Sequence, residues 1–95
     1  MEIRKVNENK KQFLSLLLLA DEQEDMVDRY LEKGAMYVLD DCGVKAECVV
    51  TDEGNGILEI KIIAVMPEHQ RAGYGSALID FIACKYKGIY SVLHV

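Results

Sequence analysis

The residues best suited to chemistry lie in one segment, where a buried strand, a glycine-containing loop and a helix follow one another directly. Ile57 to Val65 predicts the strand, Gly73 and Gly75 lie in the loop, and apolar residues at helical spacing continue up to Gly88. Glycines let the backbone approach an anion closely, and the first N–H groups of a helix are donors aimed at it. The pattern therefore predicts an anion-binding site.

Three kinds of glycine loop could occupy this segment, and their spacing separates them. A Walker A loop needs GxxxxGK[ST], and no lysine follows Gly75 at the required place. A dinucleotide fingerprint GxGxxG would begin at Gly73, but Leu78 stands at the position of its third glycine. The spacing therefore disfavours both of these nucleotide sites.

The third kind has the form Q/R-x-x-G-x-G/A, which the segment Gln70-Arg71-Ala72-Gly73-Tyr74-Gly75 matches. In this the sequence resembles the GCN5-related N-acetyltransferase family. Glu59 to Val65 is similar to the family's fourth strand and Val65-Met66-Pro67 to its V-x-P exit, and the likeness covers essentially all 95 residues. The resemblance implies an α/β (α+β) fold with a mixed, mostly antiparallel sheet in the order β-α-α-β-β-β-α-β, lacking the family's C-terminal helix and strands.

The resemblance also implies the ligands, acetyl-coenzyme A as acyl donor and an amine as acceptor. The pantetheine arm would pair with the backbone of Ile63, Ala64 and Val65, and one of their N–H groups would polarise the thioester carbonyl. The pyrophosphate would be bound by the loop. The loop residues implied are Gln70, Arg71, Ala72, Gly73, Tyr74, Gly75 and Ser76.

Glu59 is implied as the catalytic general base, because it corresponds to the strand-four glutamate of histone-acetylating relatives. A base is useful since a free lysine has a pKa near 10.4, and partial burial could raise the pKa of a carboxyl group toward that task. Strict alternation along the strand predicts that Glu59 shares a face with Ile63 and Val65. A partly solvated carboxylate beside Lys61, without a catalytic role, is an equally open interpretation.

The elements around this segment follow from periodicity and turn residues. In chain order they are a strand at Met1–Val6, a helix at Lys10–Ala20, a helix around Met26–Leu31 that stops at Gly34, strands at Met36–Leu39 and Ala46–Val50, a turn at Asp52–Gly56, the strand Ile57–Val65, the helix after the loop and a final strand Ile89–Val95. We expect antiparallel hairpins, a last strand parallel to its predecessor and helices on both sheet faces. Residues 1–95 are predicted to be a single domain, truncated after its fifth strand.

Composition narrows the class of protein. A content of 51% hydrophobic and 28% charged residues predicts a soluble globular domain. The net charge of −5 and the scattered Lys and Arg residues exclude a nucleic-acid surface. Three cysteines without CxxC spacing indicate neither disulfides nor a metal site and favour the cytoplasm. The apolar run Phe13–Ala20 is too short to span a bilayer, so no membrane association is predicted.

Two alternatives to an autonomous acetyltransferase stay open. In many family members a tyrosine on the helix after strand five protonates the departing thiolate, and Tyr74, Tyr86 and Tyr90 do not match that position. A coenzyme A-binding module without turnover would fit this departure. The other alternative is an interaction fragment that forms a homodimer through Ile89–Val95, whose outer edge would otherwise be unpaired.

Overall fold

Residues Met1–Val95 form five strands and three α-helices in the computed structural model of the chain. The strands are β1 (Glu2–Val6), β2 (Ala35–Asp40), β3 (Val44–Gly54), β4 (Ile57–Val65) and β5 (Val92–His94), and the helices are α1 (Leu14–Ala20), α2 (Glu24–Lys33) and α3 (Tyr74–Lys85). All strands lie in one sheet in sequence order, antiparallel up to β4 and parallel between β4 and β5. The predicted fold class and element order are confirmed.

The sheet has a hydrophobic core on each face. On one face, which we call the α3-side core, Leu78 and Ile82 of α3 pack with buried residues of β2, β3 and β4, among them Tyr37 and Ile60. On the other face, the α1/α2-side core joins residues of α1 and α2 to the sheet. Its buried members are Val6, Leu17, Val27, Leu31, Met36, Val38, Val49 and Ile62. No helix of the structure has the length and apolar character needed to cross a bilayer.

The first predicted helix begins as a tighter turn. Residues Lys10–Phe13 form a 3-10 turn, and the α-helix starts only at Leu14. Asn9 is left-handed with φ 51° and gives no side-chain cap, while lysine in a first turn opposes the helix dipole. Lys10 instead donates its ammonium to the end of α2, at 2.9 Å from Leu31 O and 3.0 Å from Gly34 O. The start of one helix thereby caps the end of the next.

Two tight turns join the central strands. Between β2 and β3, the amide of Gly43 donates to Asp40 Oδ1 at 2.9 Å. Between β3 and β4, Asn55 and Gly56 have φ of 55° and 76°, which is the signature of a two-residue hairpin turn with both φ values positive. This turn is shorter than the predicted Asp52–Gly56 segment, because the ladder continues to Gly54.

A β-bulge interrupts β4 and changes which residues share a face. Val49 is opposite Ile62 and Val50 is opposite Ile60, so Lys61 is the extra residue. Accordingly Ile60 and Ile63 both pack on the α3-side core, although they are three positions apart. The predicted strict alternation is therefore wrong beyond Ile60.

The last strand is shorter than the predicted Ile89–Val95 segment. β5 comprises three residues and pairs only with Ile57–Glu59. The preceding chain is held by Gly56 O, which accepts from the amides of Ser91 at 2.8 Å and Val92 at 3.1 Å. Consequently the outer edge of β4 has no strand beside it from Ile60 to Val65.

Candidate functional site

The glycine loop ends in four backbone amides that point to no partner within the chain. After a 3-10 turn at Pro67–His69, Gly73 takes a left-handed conformation with φ 83° and caps α3. The first helical hydrogen bond runs from Ala77 N to Gly73 O at 3.0 Å. No acceptor receives the N–H groups of residues 73–76, and no side chain caps the helix. These donors, at the positive end of a helix dipole, fit an oxyanion such as a pyrophosphate.

Side chains tie this loop to the sheet. Tyr74 donates its hydroxyl to Asp41 Oδ2 at 2.8 Å, across to the β2–β3 turn, and this hydrogen bond raises the pKa of Tyr74. The amide of Gln70 makes a longer 3.5 Å contact with Val65 O at the end of β4. Arg71 is exposed and forms no ion pair, so its side chain is free to meet an anion.

The strand that leads into the loop offers a second set of backbone groups. Ile63, Ala64 and Val65 pair with β3 on one side only, because β5 stops beside Glu59. Half of the backbone groups of an edge strand lack a sheet partner and are open to a ligand that lies along the edge. The structure thus brings the predicted strand contacts and the predicted loop contacts together at the C-terminal end of β4.

Glu59 is positioned differently from the sequence-based expectation. The Lys61 bulge places it on the sheet face opposite Ile63 and Val65, so the expectation of a shared face is wrong. Its Oε2 lies 2.6 Å from the ammonium of Lys61, and 29% of its side chain is exposed. Lys61 also lies 3.4 Å from Glu53 and over the ring of Tyr30, 5.8 Å from the centroid. Glu59 therefore belongs to an ion-pair cluster beside α2.

Glu47, which the sequence analysis did not single out, has the most unusual surroundings of any carboxylate in the chain. It lies in β3 opposite Val38 and Ala64, and its side chain is fully buried. Neither carboxyl oxygen has a hydrogen-bond partner. Burial alone raises the pKa of Glu47 to about 8, since apolar surroundings disfavour the charged form. Strongly shifted groups of this kind concentrate at functional sites.

Glu47 lines an open pocket beneath α1, with a volume of about 420 Å³. We call this the α1 pocket. Its walls come from the first helical segment, the start of β3 and the chain just after β4. The residues that line it are Gln12, Phe13, Ser15, Leu16, Leu19, Val44, Glu47, Met66 and Pro67. Glu47 is the only charged residue among them, so the pocket combines an apolar wall with one acidic group.

One sequence signal could have led to Glu47. Glu47 lies between Ala46 and Cys48 in a strand made mostly of apolar residues. A glutamate at such a position either faces solvent on an uncovered side of the sheet or is buried. The two cases cannot be distinguished without knowing that α1 covers this face. The packing of α1, rather than a motif, makes the residue unusual.

Comparison with known proteins identifies the group to which this geometry belongs. Residues 32–95 match the sequence model of a family described as an acetyltransferase (GNAT) domain. An IAA acetyltransferase from Bacillus cereus superposes with a TM-score of 0.85 and 30% identity, over 93% of this chain and 59% of its own. No curated protein matches the chain in sequence.

Two further solved structures are similar and contain ligands. A GNAT family acetyltransferase from Elizabethkingia anophelis with acetyl-CoA bound gives a TM-score of 0.85 and 28% identity, over 94% of this chain and 60% of its own. An acetyltransferase from Bacillus subtilis in complex with CoA gives 0.83 and 31%, over 93% and 59%. The chain therefore spans about 60% of the length of these three structures.

Proposed function

The chain belongs to the GNAT family of acetyltransferases, and we propose on that premise that it transfers an acetyl group from acetyl-coenzyme A to a primary amine. The observation that carries the proposal is the set of four unpaired amides at residues 73–76, directly after a strand whose outer edge is open. A pyrophosphate and an extended pantetheine arm need these two features in this order. Two of the similar structures contain acetyl-CoA or CoA.

The residues of the chain have separate tasks in this proposal. The amides of the loop bind the pyrophosphate, and Arg71 adds a mobile positive charge. The edge of β4 at Ile63–Val65 orients the arm and donates one N–H toward the thioester carbonyl, which stabilises the negative charge that develops on its oxygen. Acetyl-coenzyme A supplies the activated acyl group, and the chain supplies position and hydrogen bonds.

The proton balance of the reaction requires a base. As the C–N bond forms, the C–S bond breaks, and the acceptor ammonium loses two protons in total. One of them ends on the departing sulfur and the other goes through the base to water. Glu59 is the candidate base that the family resemblance supplies, and its ion pair with Lys61 at 2.6 Å must loosen for it to act. A Glu59→Gln variant with unchanged turnover would exclude Glu59 from this role.

The proposed donor site is tested by calorimetric titration of the whole chain with acetyl-coenzyme A, dephospho-coenzyme A and NAD. We expect saturable binding of both coenzyme A ligands and none of NAD, which has a pyrophosphate but no pantetheine arm. Gly73→Ala should weaken coenzyme A binding about tenfold, because a left-handed Ala is strained and shifts the amides. A folded wild-type chain that binds no coenzyme A ligand would contradict the proposal.

Gly88→Ala is the matched control for this titration. Gly73 and Gly88 both have φ of 83°, and a Cβ at either position would meet nothing within 4 Å. The two substitutions therefore carry the same conformational cost, while only Gly73 lies in the proposed phosphate loop. Equal losses of coenzyme A affinity in both variants would point to general destabilisation.

A coenzyme A-binding module without turnover is the second candidate. The observation that favours it is that Glu59, the base implied by the resemblance, is already held in an ion pair with Lys61 at 2.6 Å. Thiol release from acetyl-coenzyme A in the presence of amines separates the candidates. Binding without amine-dependent release would select the module.

We propose a cytoplasmic location on independent grounds. Cys42 and Cys84 are exposed and Cys48 is buried, and all three are free thiols. Free exposed thiols suit a reducing compartment. Mass spectrometry of the protein isolated from cells and alkylated in denaturant, which exposes the buried Cys48, would test this, with three alkylated cysteines expected.

A further inference from the structure

The buried carboxyl group of Glu47 lacks any compensation within the chain. Both oxygens are without a hydrogen-bond partner, and the flanking strand positions, Val38 and Ala64, are apolar. A carboxyl group in such surroundings requires a proton or a cation from outside the protein. A positively charged or hydrogen-donating ligand would therefore stabilise the ionised carboxyl group of Glu47.

The α1 pocket is the space beside this buried carboxyl from which such a partner would approach it. It is open, lies against Glu47 and is walled by apolar side chains such as Leu16, Leu19 and Met66. It is also next to the proposed acyl-transfer position. Glu47 is directly opposite Ala64, one of the strand residues expected to orient the thioester, and the pocket ends at Met66 and Pro67, immediately after β4.

We propose that the α1 pocket is the acceptor site and takes a primary amine on an apolar body, with Glu47 binding the amino group and accepting its proton. This inference rests on the proposed function for its chemical purpose. Glu47 as carboxylate takes one proton from the ammonium group and releases it to water after transfer. The second amine proton goes to the sulfur as the C–N bond forms and the C–S bond breaks.

The charges around Glu47 are few, which makes its titration simple to interpret. The pocket residues contributed by the first helical segment and by the chain after β4 carry no charge. The nearest titratable side chain along β3 is Cys48, which belongs to the α3-side core and whose pKa burial raises to about 12. Glu47 is therefore the group whose deprotonation near its pKa of about 8 controls amine binding.

The test measures binding of phenethylamine and of its uncharged analogue 2-phenylethanol to the whole chain by NMR titration, without coenzyme A. We expect phenethylamine to bind more tightly as pH rises toward about 8, with release of a proton. Glu47→Gln should weaken phenethylamine binding about tenfold or more and remove this pH dependence, while 2-phenylethanol binding stays unchanged.

A second variant tests the pocket without touching the buried carboxyl. Leu19 lines the pocket and is 60% exposed, so Leu19→Lys changes a residue outside the buried core. It should repel phenethylamine and leave 2-phenylethanol binding nearly unchanged. Glu32→Gln is the control, because it removes an exposed glutamate of α2 outside the pocket, and it should retain the pH dependence.

Three results would overturn the inference. They are no phenethylamine binding by the folded chain, equal affinities of wild type and Glu47→Gln, and phenethylamine binding no tighter than that of 2-phenylethanol at the pH optimum. Coenzyme A titration of the same samples is a separate measurement. If wild type distinguishes phenethylamine from 2-phenylethanol but binds no coenzyme A, the proposed function is refuted. If it binds coenzyme A but does not distinguish the two phenyl compounds, the acceptor site is refuted.

Discussion

Two glutamates on neighbouring strands carry the same functional group in opposite surroundings. Glu59 is partly exposed, and its carboxylate forms an ion pair with the ammonium of Lys61 at 2.6 Å. Lys61 therefore occupies the position that the amino group of a substrate would need. Glu47 is buried without a partner, and its pKa is raised to about 8. A base is most effective when its pKa lies near the working pH. At the scale of single residues, these surroundings favour Glu47 over Glu59 as the proton acceptor of the proposed reaction.

Glu47 should make the protein less stable as pH rises. Its pKa is about 8 in the folded state against 4.5 for an unperturbed glutamate, so the folded state binds this proton more tightly. The stability it contributes is fully present below pH 4.5 and is lost as pH rises through about 8. The loss is about 1.4 kcal/mol per pH unit between these values. Urea unfolding across this range should show the decline in wild type and none of it in Glu47→Gln.

The control for this measurement is Glu59→Gln, which should keep the decline. Asp40 and Glu53 have lowered pKa values, caused first by the hydrogen bonds from Gly43 and Thr51 respectively. Their contributions are lost only on the acidic side of their ordinary values, outside the pH range used for Glu47. A decline that persists unchanged in Glu47→Gln would show that this carboxyl is solvated in the folded protein.

The loop residues could be proposed from the sequence because a local pattern defines them. The glycine at position 73 needs a left-handed conformation at a helix start, and its spacing from Gln70 is visible in the chain. Glu47 acquires its properties from α1, which is about 30 residues away in sequence and has no motif that refers to β3. The burial of Glu47 depends on an element that is distant in sequence, so no local sequence pattern could predict it.

At the scale of elements, the bulge at Lys61 determines which residues of β4 share a face with Glu59. One extra residue reverses the alternation of β4, so that Ile63 and Val65 join Ile60 on the α3 side. The sequence predicted the bounds of β4 correctly, from Ile57 to Val65, because turn residues and a long apolar run define them. The bulge could not be predicted, because it depends on how Val49 and Val50 pair with the strand.

The junction of α2 and β2 should tolerate no side chain at Gly34. A Cβ there would lie 2.5 Å from Val50 O and 2.8 Å from Tyr30 O, and both atoms are backbone. Gly34→Ala should therefore reduce the free energy of unfolding by about 3 kcal/mol, because the backbone must move to relieve the contact. Urea denaturation checks this value.

Gly54→Ala is the appropriate comparison for Gly34→Ala. Gly54 has φ of 83° and open space around it, so the substitution has only the conformational cost of a left-handed Ala, about 1 kcal/mol. Gly34 has φ of −104°, which any residue adopts, so its cost is entirely steric. Equal losses in the two variants would show that the α2–β2 junction adjusts freely.

At the scale of the whole molecule, the two proposed ligands approach the end of β4 from opposite faces of the sheet. The proposed phosphate loop leads into α3, which covers one face, and the α1 pocket lies on the other face. Between them, the unpaired edge of β4 provides the place where donor and acceptor would meet. In this arrangement the two proposed ligands would bind independently, because neither would have to pass the other. It also makes each site testable in the absence of the second ligand.

Binding at the proposed donor site should stabilise the whole fold, because the loop joins β4 to α3 and Tyr74 connects it by a hydrogen bond to the β2–β3 turn. Coenzyme A at a hundred times its Kd should add about 2.7 kcal/mol to the free energy of unfolding. For a chain of this length the thermal midpoint should then rise by roughly 10 °C or more. Differential scanning calorimetry with coenzyme A and with NAD measures the shift. Gly73→Ala should lose most of it and Gly88→Ala should keep it, and an equal shift with NAD would mean that the loop recognises a pyrophosphate without the pantetheine arm.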